Sequence, residues 1–165
     1  MNDSLKAERL KLKEALKRYM FLSQSISDQM ERLEELRRES IGSPPLSDMP
    51  KGPPKPSDKI GNKLVKMEMI EEDISEMQKE FVQLGHVIAR IERRMKRSVE
   101  KRVINLRYQD GKEWFEIARR VYAEKGVPMT RENEDSCKRY VQAIHGDALN
   151  SILRICAASP DLKFW

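Results

Sequence analysis

Residues 103–121, VINLRYQDGKEWFEIARRV, join two short apolar patterns across an Asp-Gly step, and the second pattern opens on a tryptophan. Val103 and Leu106 lie three apart, on one face of a short helix that also takes in Val99. Asp110-Gly111 marks a turn, because glycine accepts the positive φ that ends a helix. Trp114, Ile117, Ala118, Val121 and Tyr122 then repeat at helical spacing until Gly126 and Pro128 stop the pattern. An indole in the first turn of this helix is expected to wedge against the helix before it. Ala118 is small where two helices must approach closely.

Residues 129–155, MTRENEDSCKRYVQAIHGDALNSILRI, open a third helical pattern. Thr130 is its expected cap, and the acidic residues that follow suit the positive end of a helix. Cys137, Val141, Ile144, Ala148, Ile152 and Ile155 form an apolar stripe. Arg131, Lys138, Gln142 and His145 fall together on a second, polar face. A short helix, a turn, a Trp-anchored helix, a loop and a helix with a polar stripe together make a helix-turn-helix arrangement.

Upstream, two long segments carry heptads. In the first, positions a are Leu5, Leu12, Tyr19, Ile26 and Leu33, and positions d are Glu8, Ala15, Leu22, Gln29 and Leu36. In the second, positions a run Ile60, Met67, Ile74, Phe81, Ile88 and Met95, and positions d run Lys63, Ile70, Met77, Leu84 and Ile91. Ser57 and Asp58 offer capping oxygens to its first turn, and Gly85 suggests a bend or break near His86. Between the segments, SPPLSDMPKGPPKPSD (43–58) holds six of the eight prolines, so neither helix can run through it. The expected fold is all-α: a long antiparallel helical hairpin at 1–95, a helix-turn-helix unit at 96–158 and a tail at 159–165. An intermolecular bundle would use the same seam residues, so the heptads alone do not choose; the hairpin is the favoured reading, and a homo-oligomer through the coiled coil stays open.

Composition narrows the classes further. Charged residues are 36% of the 165-residue chain and hydrophobic ones 39%, a balance that suits helices with one wet face. No apolar run approaches the ~20 residues of a membrane span, and the first twenty residues lack the apolar segment of a secretory signal. With Cys137 and Cys156 as the only cysteines, no disulfide framework is implied, and a cytoplasmic protein is expected. The net charge is +5, and residues 86–125 concentrate it, with 12 Lys/Arg against 6 Asp/Glu. Clustered positive charge attracts polyanions. The two histidines and two cysteines match no common zinc spacing, and neither a glycine-rich phosphate loop nor a nucleophile elbow is present. Neither catalysis, a metal nor a cofactor is expected.

VINLRYQDGKEWFEIARRV together with YVQAIHGDAL (140–149) resembles the promoter-reading fourth region of bacterial sigma factors. It is similar, more closely, to small phage-encoded sigma-like regulators of late genes, the ArpU/RinA kind. The likeness rests on Leu106-Arg107-Tyr108, Gly111, Trp114, Ile117-Ala118 and the Val141–Leu149 segment with its His145-Gly146 step. The segment RRVYAEKGVPMTRENEDSCKR (119–139) is longer than such regulators use. It can be accommodated by a longer scaffold helix, an added turn on the recognition helix or a swollen loop.

The resemblance implies a DNA-binding transcriptional regulator. Lys138, Arg139 and Gln142 would reach base edges or phosphates of double-stranded DNA, joined by Arg131 and His145 on the same face. Arg119, Arg120, Arg107 and Lys112 suit backbone contact, and the hairpin suits RNA polymerase or a second copy. Glu132, Glu134 and Asp135 would oppose phosphate if they faced it. Two other readings use the same features: a small-terminase-like DNA-packaging subunit, and a coiled-coil adaptor or polymerase modulator that does not bind DNA.

Overall fold

The computed structural model describes residues 2–41 and 59–165, and their regular structure is entirely helical. Helix α1 spans Asn2–Ile41, α2 Lys59–Arg94, α3 Ser98–Ile104, α4 Trp114–Glu124 and α5 Glu134–Ala158. A π-turn over Asn105–Gln109 continues α3, and a 3-10 turn over Pro160–Leu162 follows α5. The proline-rich stretch 43–58, with the expected caps Ser57 and Asp58, lies outside the described residues. The chain forms two compact units, one of Met1–Ser23 with Phe81–Trp165 and one of Gln24–Glu80.

The Gln24–Glu80 unit is a seam between α1 and α2. Leu33, Ile70 and Ile74 are buried in it, with Leu36 and Met67 packed alongside. Arg37 pairs with Glu71 at 2.6 Å and Glu39 with Lys63 at 3.2 Å, so α2 numbering falls as α1 numbering rises. Exposed ion pairs of this kind contribute ~0–1 kcal/mol each, which leaves the heptad leucines and isoleucines as the main source of cohesion.

The Met1–Ser23/Phe81–Trp165 unit holds two cores. One gathers Leu12, Leu16 and Tyr19 of α1, Ile88, Ile91 and Met95 at the end of α2, and Ala148, Leu149, Ile152 and Cys156 of α5. The other joins Val103 and Leu106 to Ile117, Ala118 and Val121 of α4 and to Cys137, Val141 and Ile144 of α5. The α3 region serves both, because Ile104 and Tyr108 turn to the first core while Val103 and Leu106 turn to the second. The π-turn closes with the Asp110 N–H donating to the Asn105 carbonyl at 3.0 Å. Residues 159–165 close on the first core: Leu162 is fully buried, the Trp165 Nε1–H donates to Glu8 at 2.8 Å, and Arg90 pairs with Asp161 at 2.7 Å.

Helix α2 continues through Gly85, so no break interrupts it there. The Tyr19 ring stacks on Phe81 at 4.6 Å and lies 3.5 Å from where a Gly85 Cβ would stand.

Candidate nucleic-acid interface

The three-helix part of this unit is organised around the turn at Asp110-Gly111. Gly111 takes φ 64°, in the left-handed region that its sequence predicts, and the Lys112 N–H donates to the Leu106 carbonyl at 2.8 Å. Trp114 is the first residue of α4, as expected. Its ring is only half-buried, however, and the fully buried centre is made by Val103, Leu106, Ile117, Ala118 and Val141. A side chain at the first position of a helix projects at the rim of the bundle. Here the indole covers that rim instead of wedging between helices.

Around the indole, three side chains gather. The Arg107 guanidinium lies 4.9 Å from the Trp114 ring centroid, and its Nη1 donates to the Lys112 carbonyl at 2.8 Å. Trp114 meets His145 edge-on at 5.1 Å, and the Tyr108 hydroxyl lies 2.9 Å from His145 Nε2. Burial, reinforced by the cations Lys13, Arg9 and Arg107, pushes the His145 pKa down to about 4. The ring is therefore neutral at pH 7 and is hydrogen-bonded to the Tyr108 hydroxyl through Nε2. Burial likewise pushes the Tyr108 phenol up to about 12. His145 and Arg107, both read from sequence as DNA contacts, are engaged in holding the fold.

Helix α5 starts later than its sequence suggests. Residues 131–133 form a turn, so Arg131 precedes the helix instead of sharing its polar stripe. Asn133, not Thr130, holds the capping position. Its Oδ1 accepts from the Thr130 N–H at 2.8 Å, and its carbonyl accepts the first helical bond from the Cys137 N–H at 2.9 Å. The extra length between Ala118 and Cys137 is a swollen loop, 125–133, which leaves α4 at Glu124. Gly126, at φ 70°, turns the chain out of α4.

The candidate DNA contacts separate into two sets. Lys138 is tied to Glu134 at 3.0 Å and Asp135 at 3.3 Å, and these carboxylates hold its pKa above the usual lysine range. Lys112 and Arg120 share Glu116, each at 3.2 Å. By contrast, Arg119 on α4, Arg131 in the turn, and Arg139 and Gln142 on α5 are exposed. Among the described residues, Arg139 donates to the Asp135 carbonyl one turn back, at 3.3 Å. On α5 the exposed residues Ser136, Arg139, Gln142 and Ala143 lie on the side opposite Val141, Ile144 and Ala148. Helix α1 approaches α5 further along, where Arg9 Nη2 would lie 2.8 Å from a Cβ at Gly146.

A cation–aromatic cluster beside this face was not read from the sequence. Lys125 Nζ lies 2.9 Å from the Tyr140 hydroxyl and 4.5 Å from its ring centroid, and Tyr122 meets Tyr140 edge-on at 5.8 Å. Lys125 caps α4 and reaches Tyr140 through the packing of α4 against α5, so local periodicity carried no signal for it.

Cys137 and Cys156 are buried and unbridged, and burial pushes the Cys156 thiol up to about 11. Among the described residues, no group of three His, Cys, Asp or Glu side chains is placed to hold a metal, and no helix is long and apolar enough to cross a membrane. No family model, curated protein or solved structure matches this chain.

Proposed function

We propose that the protein is a DNA-binding transcriptional regulator of the phage sigma-like kind, in which an α1–α2 hairpin carries a helix-turn-helix formed by α3, α4 and α5. The observation that supports this most is the open face of α5. Arg139 and Gln142 are exposed there, and exposed Arg119 and Arg131 lie on the adjoining helix and turn. Placed in a major groove, Arg139 pairs with guanine O6 and N7 and Gln142 with adenine N6 and N7. Arg119 and Arg131 meet phosphates and fix the register.

The acidic residues at the start of α5 need not repel a duplex. Lys138 pairs with both Glu134 and Asp135, which cuts their combined charge from −2 to −1, and it orders the first turn instead of contacting DNA. Glu132 is left as the exposed carboxylate of the loop. The hairpin then serves as the arm that meets RNA polymerase or a second copy of the chain.

The test is selection of bound fragments from a genomic DNA pool, followed by mobility shifts across a salt series. Specific, salt-dependent retention of a discrete set of fragments is expected. No binding even at low salt would leave the coiled-coil adaptor as the better reading.

A further inference from the structure

A concave site lies on the Met1–Ser23/Phe81–Trp165 unit, lined by none of the residues assigned to DNA. Where α2 gives way to α3, residues 95–97 leave the helical path, with Arg97 extended at φ −92° and ψ 116°. This break and the C-terminal half of α5 enclose a cleft of about 590 Å³. Its lining combines the apolar Met95, Ile155 and Ala158 with the cationic Arg94, Lys96, Arg97 and Arg154.

The lone carboxylate in the lining is already committed. Glu100 is 2% exposed, accepts from Ser151 Oγ at 2.8 Å and pairs with Arg97 at 3.0 Å. Arg94 donates to Ser159. Lys96 and Arg154 are exposed, and neither has a carboxylate partner among the described residues. Sites for small ligands are characteristically clefts of ~300–1,000 Å³ with apolar walls and a few convergent polar groups. Bare phosphate would gain nothing from the methionine and isoleucine, and a neutral hydrocarbon nothing from the cations.

We propose that this cleft binds a small amphiphilic anion: a carboxylate or phosphate ester whose hydrocarbon body lies on Met95 and Ile155 while Lys96 and Arg154 hold its charged head. The proposal is independent of the DNA reading, since it uses none of the residues assigned to the duplex.

The test is a titration of the full chain, labelled with ¹³C at the methionine methyls, with decanoate below its micelle concentration. The Met95 resonance is assigned with Met95→Leu. A saturable shift of the Met95 methyl is expected, weakened at least tenfold in Lys96→Glu/Arg154→Glu and less in the milder Lys96→Gln/Arg154→Gln. Decanol, which keeps the chain and lacks the charge, should give no saturable shift. The proposal is overturned if decanoate leaves Met95 unmoved, if decanol matches it, or if both double variants bind as the parent does while melting normally.

Discussion

The Tyr108 hydroxyl and His145 Nε2 lie 2.9 Å apart inside a rim closed by Trp114 and Arg107, so the protein folds around a neutral imidazole. The pKa of His145 falls from 6.5 in the reference state to about 4 in the fold. As pH drops below 6.5 the unfolded chain takes up this proton first, so stability is full above that point and is lost toward pH 4. The size of the loss is ~3 kcal/mol. Urea unfolding at pH 7.5, 5.5 and 4.5 should show a decline that is much flatter in His145→Gln. Equal pH slopes in the two proteins would mean that His145 is not held neutral.

Gly85 offers a gain of stability. A Cβ there would meet the Tyr19 ring at 3.5 Å, ordinary van der Waals contact, inside an unbroken helix. Gly85→Ala should therefore stabilise the protein by ~0.5–1 kcal/mol through helix propensity. A melting temperature that falls would show that the ring needs more room than the geometry indicates.

Leu162 anchors the C-terminal segment. It is fully buried among residues of α1, α2 and α5, and neighbouring Lys163 and Trp165 hold Glu8, keeping its carboxyl below the usual range. Leu162→Ala should cost ~2–5 kcal/mol. Chemical denaturation measures this directly, and a change under ~0.5 kcal/mol, the usual limit for surface substitutions, would remove the segment from the core.

Two arginines test the proposed backbone contacts. Arg119→Ala and Arg131→Ala should each weaken binding evenly across DNA sequences and lower the salt slope by about one. Lys138→Ala should act mainly on helix stability, since its charge is spent on Glu134 and Asp135. A Lys138→Ala salt slope as reduced as that of the arginine variants would instead put Lys138 at the interface.

Much of this fold was legible in the sequence where the pattern is local and repeats. Most apolar positions of α1 and α2, the Asp110-Gly111 turn and the stripe from Cys137 to Ile152 follow from periodicity and one glycine. But Leu5, placed in the seam by its heptad, is exposed, and Leu16, which lies off the a and d positions, is buried. Periodicity does not say which partner a stripe meets. Nothing local places Leu12 and Leu16 against Ala148 and Leu149, or splits α3 between two cores.

The site was less legible for a related reason. A helical wheel groups His145 with Lys138 and Gln142, yet the burial of His145 depends on Tyr108, Trp114 and the approach of α1. Whether a basic residue is spent on a neighbour is likewise a matter of rotamers. That is what separates Arg119 and Arg139 from Arg120 and Lys138.

The most direct test of the account is site-specific photocrosslinking. A photoreactive residue replacing Gln142, exposed on α5, should join the protein to a selected DNA duplex in a salt-sensitive reaction, whereas the same residue at exposed Ser75 of α2 should not. Crosslinking at Ser75 with none at Gln142, from protein that binds the duplex, would contradict the placement of α5 in the groove.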